Sequence, residues 1–255
     1  MLRLWPKRLY AGLFGQHAWL VDNSRNQPLP ASGASAAGAS LAESLDAMLH
    51  TASFARGANT LSVMLPSHSA RCVSLPWSRN LRGAEEKHAY ALAHLEQAGM
   101  GTGDGHVVHA EFRHFGARGF AYAVPQQTLD ELHEVAARHH LELTTVIPIA
   151  GVAHLAAARA RGTGLDVSLI AEDSSISALA VSRTGLHRYD AEPAIGGQCP
   201  ALMRLLTRLA ADGVEFNGIN LCADSDGAEL AKAAGTFALE APVQTIIASQ
   251  WRRYL

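Results

Sequence analysis

The sequence predicts an α/β protein of two lobes, each opened by antiparallel strands and continued by alternating helices and strands. Three observations predict it. The 255 residues are 48% hydrophobic and 17% charged, enough for a sizeable core and near the length at which one core gives way to two. Short apolar runs bounded by Gly, Pro, Ser and Asn alternate with runs of helical period. The pattern starts afresh after Gly162-Thr163-Gly164. The same composition excludes a disordered chain and a coiled coil.

Leu9 to Phe14 and Ala18 to Asp22, separated by Gly15-Gln16-His17, read as an opening β-hairpin. Residues 23–40 are rich in Pro, Ser, Gly and Ala without apolar periodicity and read as a flexible surface loop. Ser40 is a good N-cap, and Leu41, Leu45, Met48 and Leu49 then recur at helical spacing to about Phe54. Thr60 to Leu65 and Arg71 to Leu75 are strands around Pro66-Ser67-His68-Ser69, and Gly83 to Ala98 is a helix with Ala89, Leu92 and Leu95 inward. His106 to Phe115 and Gly119 to Val124 form a strand pair turning at Gly116 to Arg118. Gln127 to His140 is a helix, Leu141 to Ile147 a strand, and Pro148 to Arg161 an alanine-rich helix. Past the break come strands Val167 to Ala171, Ser177 to Ser182 and Leu186 to Tyr189, a sharp turn at Ile195-Gly196-Gly197, helix Pro200 to Ala211, strand Gly218 to Ala223 and helix Gly227 to Ala234. Strand meanders followed by alternating helices and strands, repeated twice, are the ribonuclease H-like, actin-like pattern. The expected division is a first lobe at 1–161, containing the 23–40 loop, and a second, shortened lobe at 162–255.

Charge gives no reason to expect nucleic acid or an anionic membrane as the main partner: 21 Lys plus Arg stand against 23 Asp plus Glu, a formal net charge of -2. Cys72, Cys199 and Cys222 are an odd number at wide spacing, read as reduced thiols of a cytoplasmic protein. The apolar run near the N-terminus is interrupted too early for a signal peptide, and no stretch reaches the roughly 18 apolar residues of a membrane span.

Three constellations invite chemistry, and each has a plainer reading. His106, His109, His114, His139 and His140 suggest a metal site, but odd spacing on a strand and adjacency on a helix turn their side chains apart, so no metal is expected. Gly99-Met100-Gly101-Thr102-Gly103-Asp104-Gly105 superficially resembles a phosphate loop, yet follows a helix and precedes a strand, the reverse of the dinucleotide arrangement. Ser174, Ser175 and Ser177 lack the Gly-x-Ser-x-Gly context of a hydrolase. Trp251, Arg252, Arg253 and Tyr254 read as a frayed terminus rather than a membrane contact.

Val63-Met64-Leu65-Pro66, Val73-Ser74-Leu75-Pro76-Trp77, the segment Phe120 to Leu155 and the Ile195-Gly196-Gly197 turn carry a family resemblance over nearly the whole chain. It resembles the actin-fold cytoplasmic proteins of type IV pilus assembly (PilM) and of type II secretion (GspL). In that family an Asp-x-Gly triplet on each of two hairpins serves nucleotide phosphates and Mg²⁺. The matching positions are Leu13, Phe14 and Gly15, where the acid is absent, and Ala171, Glu172 and Asp173, where both elements are absent. The adenosine-side glycines give way to Ala223, Asp224, Ser225 and Asp226. Only Gln198 to Asn217 follow the second turn before the last strand and helix, too little for the subdomain that closes over nucleotide.

The resemblance, with these losses, implies a non-catalytic scaffold that holds no cofactor. Its implied partner is the PilN-like cytoplasmic tail of an inner-membrane protein, which links it to the membrane without direct insertion. Self-assembly of the lobes is a further expectation. The alternative is an actin-superfamily ATPase or small-molecule kinase with unusual motifs.

Overall fold

The computed structural model describes residues 7–14, 18–22, 27–28, 39–52, 58–101, 105–157, 165–182, 184–223, 227–238, 241–246, 249–250, 252 and 255. The expected turns Gly15-Gln16-His17 and Gly162-Thr163-Gly164, most of the 23–40 segment, and three of the four C-terminal residues Trp251 to Tyr254 lie outside them.

The opening hairpin is present: β1 (Lys7–Gly12) pairs antiparallel with β2 (Trp19–Asp22), Gly12 opposite Trp19. Gly12 is required there, because a Cβ would lie 2.2 Å from the Trp19 indole. Inside the 23–40 segment a short β3 (Gln27–Pro28) adds to β2 as the outermost strand, where no neighbour needs the N–H that proline lacks. Helix α1 (Leu41–Thr51) starts with a full capping box: the Ser40 hydroxyl accepts from the Glu43 N–H at 3.1 Å and the Glu43 carboxylate accepts from the Ser40 N–H at 2.7 Å.

The first half continues with β4 (Ala58–Leu65), a single 3-10 turn at Ser67–Ser69, β5 (Arg71–Leu75), α2 (Ala84–Gln97), β6 (His106–Glu111), β7 (Gly119–Pro125), α3 (Gln126–Arg138), β8 (Glu142–Pro148) and α4 (Ile149–Ala157). The second half comprises β9 (Leu165–Glu172), β10 (Ser175–Ser182), β11 (Gly185–Pro193), α5 (Gln198–Ala211), β12 (Phe216–Ala223), α6 (Gly227–Phe237) and β13 (Val243–Ile246). Helix α5 is the single element between the Gly196-Gly197 turn and β12, so nothing is inserted there.

Two five-stranded sheets share one plan. The first is ordered β3-β2-β1-β4-β8 and the second β11-β10-β9-β12-β13. In each, antiparallel strands lead into a parallel triplet, β1-β4-β8 and β9-β12-β13. Parallel strands need covering on both faces, and the second sheet shows how. Val167, Leu169, Ala178 and Ala180 point to a core shared with Leu202, Leu205, Leu206 and Leu209 of α5. Their neighbours Ile170, Leu179 and Val181 point the other way and join the core of the first sheet with Ala150, Val152 and Ala153 of α4. Helix α4 thus lies between the sheets. A third, three-stranded sheet, β5-β7-β6, carries α2 on one face around Leu75, Ala91 and Ala121.

Candidate functional site: the cleft between the two sheets

Open α/β sheets bind ligands outside the carboxyl ends of their parallel strands, and here those ends meet. Strand β4 finishes at Leu65 and passes through Pro66 into the Ser67–Ser69 turn, while β9 finishes at Glu172. Across the gap the Ser67 N–H donates to both carboxylate oxygens of Glu172, at 2.8 and 3.1 Å. This N–H opens the 3-10 turn and has no partner within it, and a carboxylate is the side chain best suited to such a donor. Glu172 is 5% exposed, and its carbonyl accepts from the Gln198 side-chain amide at 3.2 Å. The next residue on each side is also opposed: partial burial pulls the His68 imidazole below its usual value, and the Asp173 carboxylate acts in the opposite sense.

The first hairpin treats its matching residues differently. Leu13 and Phe14 are both buried in the core, and the Leu13 N–H donates to the Met64 carbonyl at 3.0 Å. At the second hairpin, Ala171 is buried, Glu172 is engaged with Ser67, and Asp173 sits exposed in the two-residue turn to β10. Ala223, which stands beside Ala171 in the sheet, ends β12; Gly15 and Asp224 to Asp226 lie outside the described residues. Behind Glu172 the site is closed. Cys72 is buried and its thiol is pushed up to about 12 by burial, and Tyr189 is raised well above the ordinary phenol by burial and by the negative charge it would share with Cys72 and Glu172. Such a thiol is unreactive near neutral pH. Cys72, Cys199 and Cys222 form no disulfide.

The other constellations are dispersed. His106 and His109 lie on β6 with His109 against the Tyr122 ring, His114 abuts Gly185, and His139 pairs with Asp46 at 2.8 Å. Among the described residues no three His, Cys, Asp or Glu side chains gather as metal ligands would. Gly99 closes α2 in a Schellman turn, with the Gly99 N–H on the Glu96 carbonyl and the Met100 N–H on the Leu95 carbonyl, while the Arg71 guanidinium binds the carbonyls of Met100 and Gly101. Gly99 to Gly101 are thus a helix cap tied to β5, and Thr102, Gly103 and Asp104 lie outside the described residues. Ser174 is exposed in the turn to β10, where its backbone carbonyl accepts from the Ala194 N–H, and Ser177 is buried in β10. Among the described residues no helix is long and apolar enough to cross a membrane.

The Ser67–Glu172 bond joins residues 105 apart in sequence. Glu172 was legible only as an acid standing beside a motif position, and nothing in the local pattern points to its partner.

No family model and no curated protein matches the chain. Solved structures do. A protein of unknown function with an actin-like ATPase fold from Bacteroides thetaiotaomicron is 13% identical, with a TM-score of 0.66 over 96% of this chain and 95% of that one. The PilM-PilN type IV pilus biogenesis complex matches at 12% identity and a TM-score of 0.67, over 96% and 89%. The cytoplasmic domain of EpsL, an inner-membrane component of the type II secretion system of Vibrio cholerae, matches at 12% identity and a TM-score of 0.57, over 97% and 93%. The chain therefore has the actin-like fold, in the form shared by PilM and the EpsL cytoplasmic domain.

Proposed function

We propose that the chain is a non-catalytic cytoplasmic scaffold of a type IV pilus or type II secretion assembly platform, with lobes at 1–161 and 162–255, peripheral to the inner membrane through the cytoplasmic tail of a membrane partner. The observation that carries the non-catalytic part is the Ser67–Glu172 bond. Phosphoryl transfer rests on donors and metal-bridging carboxylates aimed at phosphate oxygens. Here a carboxylate of the protein itself takes the N–H at the carboxyl end of β4, and Leu13 and Phe14 turn inward where the first hairpin would present an acid. The partner part is supported by the fold shared with the PilM-PilN complex and with EpsL. A tail of this kind docks as an extended peptide, which requires an apolar groove or a free sheet edge.

Peptides copying the cytoplasmic tails of inner-membrane proteins encoded beside this chain test the reading by isothermal calorimetry. One tail binding saturably with one-to-one stoichiometry is the expected result. Failure of every tail, with the chain shown to be folded, would count against the scaffold role.

A further inference from the structure

We propose that the tip of the three-stranded sheet, where Trp77, Phe112 and Phe115 cluster among arginines, is a direct contact site for an anionic lipid surface. Strands β5 and β6 both run antiparallel to β7, so the segments that follow them, 76–83 and 112–118, leave from the same end of the sheet. At that end Phe115 is 87% exposed, the most exposed large apolar side chain among the described residues. Its ring stands edge-on to Trp77 at 5.0 Å, and Trp77 meets Phe112 edge-on at 5.8 Å. The apex is therefore a braced aromatic wedge, and an exposed aromatic held in place marks a contact surface.

Arg79 and Arg82 lie in the first of these segments and Arg113 and Arg118 in the second, and all four are exposed. Arg113 pairs with Glu111 at 3.7 Å. The Glu86 carboxylate is occupied by the backbone N–H groups of Arg82 and Gly83. Arg79, Arg82 and Arg118 have no ion pair among the described residues, and segments 76–83 and 112–118 carry four arginines and no acid, with Glu85, Glu86 and Glu111 standing just outside them. In a protein of net charge -2 this is a local positive excess. Aromatic rings at the headgroup level, with arginines reaching to phosphates around them, form the usual interfacial anchor. A groove of about 310 Å³ opens beside Phe115 toward Thr184 and His187, so an acidic peptide is the competing occupant; the exposed apex itself favours the lipid surface.

This contact goes beyond the scaffold reading and does not depend on it, because vesicles contain no protein partner. Co-sedimentation with vesicles of equal parts phosphatidylglycerol and phosphatidylcholine, compared with pure phosphatidylcholine, tests it on the full chain. Binding is expected to the anionic vesicles alone and to weaken with salt. Arg79→Ser and Arg118→Ser should each weaken it about fivefold, and Phe115→Ser should weaken it severalfold with charge unchanged. Absent or equal binding to the two vesicle types, or binding unaffected by all three variants, overturns the proposal. Variants that lose a tail peptide in calorimetry while the parent chain ignores vesicles would make the tip a peptide surface and equally overturn it.

Discussion

The two hairpins that open the two five-stranded sheets have the same topology and opposite fates. Beyond β1, Leu13 and Phe14 fold into the core, and Gly12 lets the Trp19 indole lie flat on the backbone. At the end of β9, Glu172 reaches across the cleft to the Ser67 N–H. The first hairpin is hydrophobic structure; the second is a latch between the halves. One sheet plan used twice does not impose one chemistry twice, because the residues at the strand ends decide it.

Breaking the first hairpin should cost most. In Gly12→Ala the new methyl meets a buried, rigid indole at 2.2 Å, and overpacking of this kind costs about 3 kcal/mol or more, read as a drop in the urea midpoint. Next comes the seam on which both sheets lean. His154 of α4 is buried against Phe120, its rings 5.4 Å apart, and burial, with Arg113 and His114 adding to it, lowers it to about 4. Between that value and the ordinary 6.5 the unfolded chain binds the proton and the folded chain does not. Stability contributed by neutral His154 is thus complete above pH 6.5, falls as pH drops toward 4 and levels below it. The loss should approach about 3 kcal/mol, and His154→Leu should flatten that part of the denaturation profile.

The latch itself is a charge-assisted hydrogen bond to a buried donor, so Glu172→Ala should cost about 2 kcal/mol and speed amide exchange at Ser67 to Ala70, while Glu172→Gln, which keeps an acceptor, should cost less. Unchanged exchange in both variants would show that the halves are held by the shared core alone. The smallest effect sharpens the contrast at helix ends. Helices α2 and α5 close on Gly99 and Gly213, whereas α3 closes on His140 at a φ of 57°. His140→Gly should stabilise the chain by about 0.5–1 kcal/mol, measurable by the same denaturation.

Most elements were legible because their periodicity is local. The α1 capping box at Ser40 and Glu43, the alternation in β9 and β10, and the Ile195-Gly196-Gly197 turn all lie within a few residues of what makes them. What escaped was set from outside. Strand β13 carries Gln244 and Thr245 in its middle and exists because β12 offers it an edge. Strand β11 runs on through Arg188, Asp190 and Glu192, whose charges are met by α5: Arg208 reaches Asp190 at 2.7 Å and Glu192 at 2.8 Å. Strand β6 stops at Glu111, four residues before its expected end, where Phe112 and Phe115 turn to Trp77. The altered motif positions could be read from sequence, but the use made of Glu172 could not, since its partner Ser67 is fixed only when both sheets are in place.

On the proposed function, the Glu172 carboxylate closes the cleft and the cleft does not serve nucleotide. Calorimetric titration of the full chain with Mg-ATP, followed by a phosphate-release assay on the same sample, tests it most directly. The expected result is no saturable heat and no phosphate above the buffer rate. Saturable micromolar binding with measurable hydrolysis would contradict it.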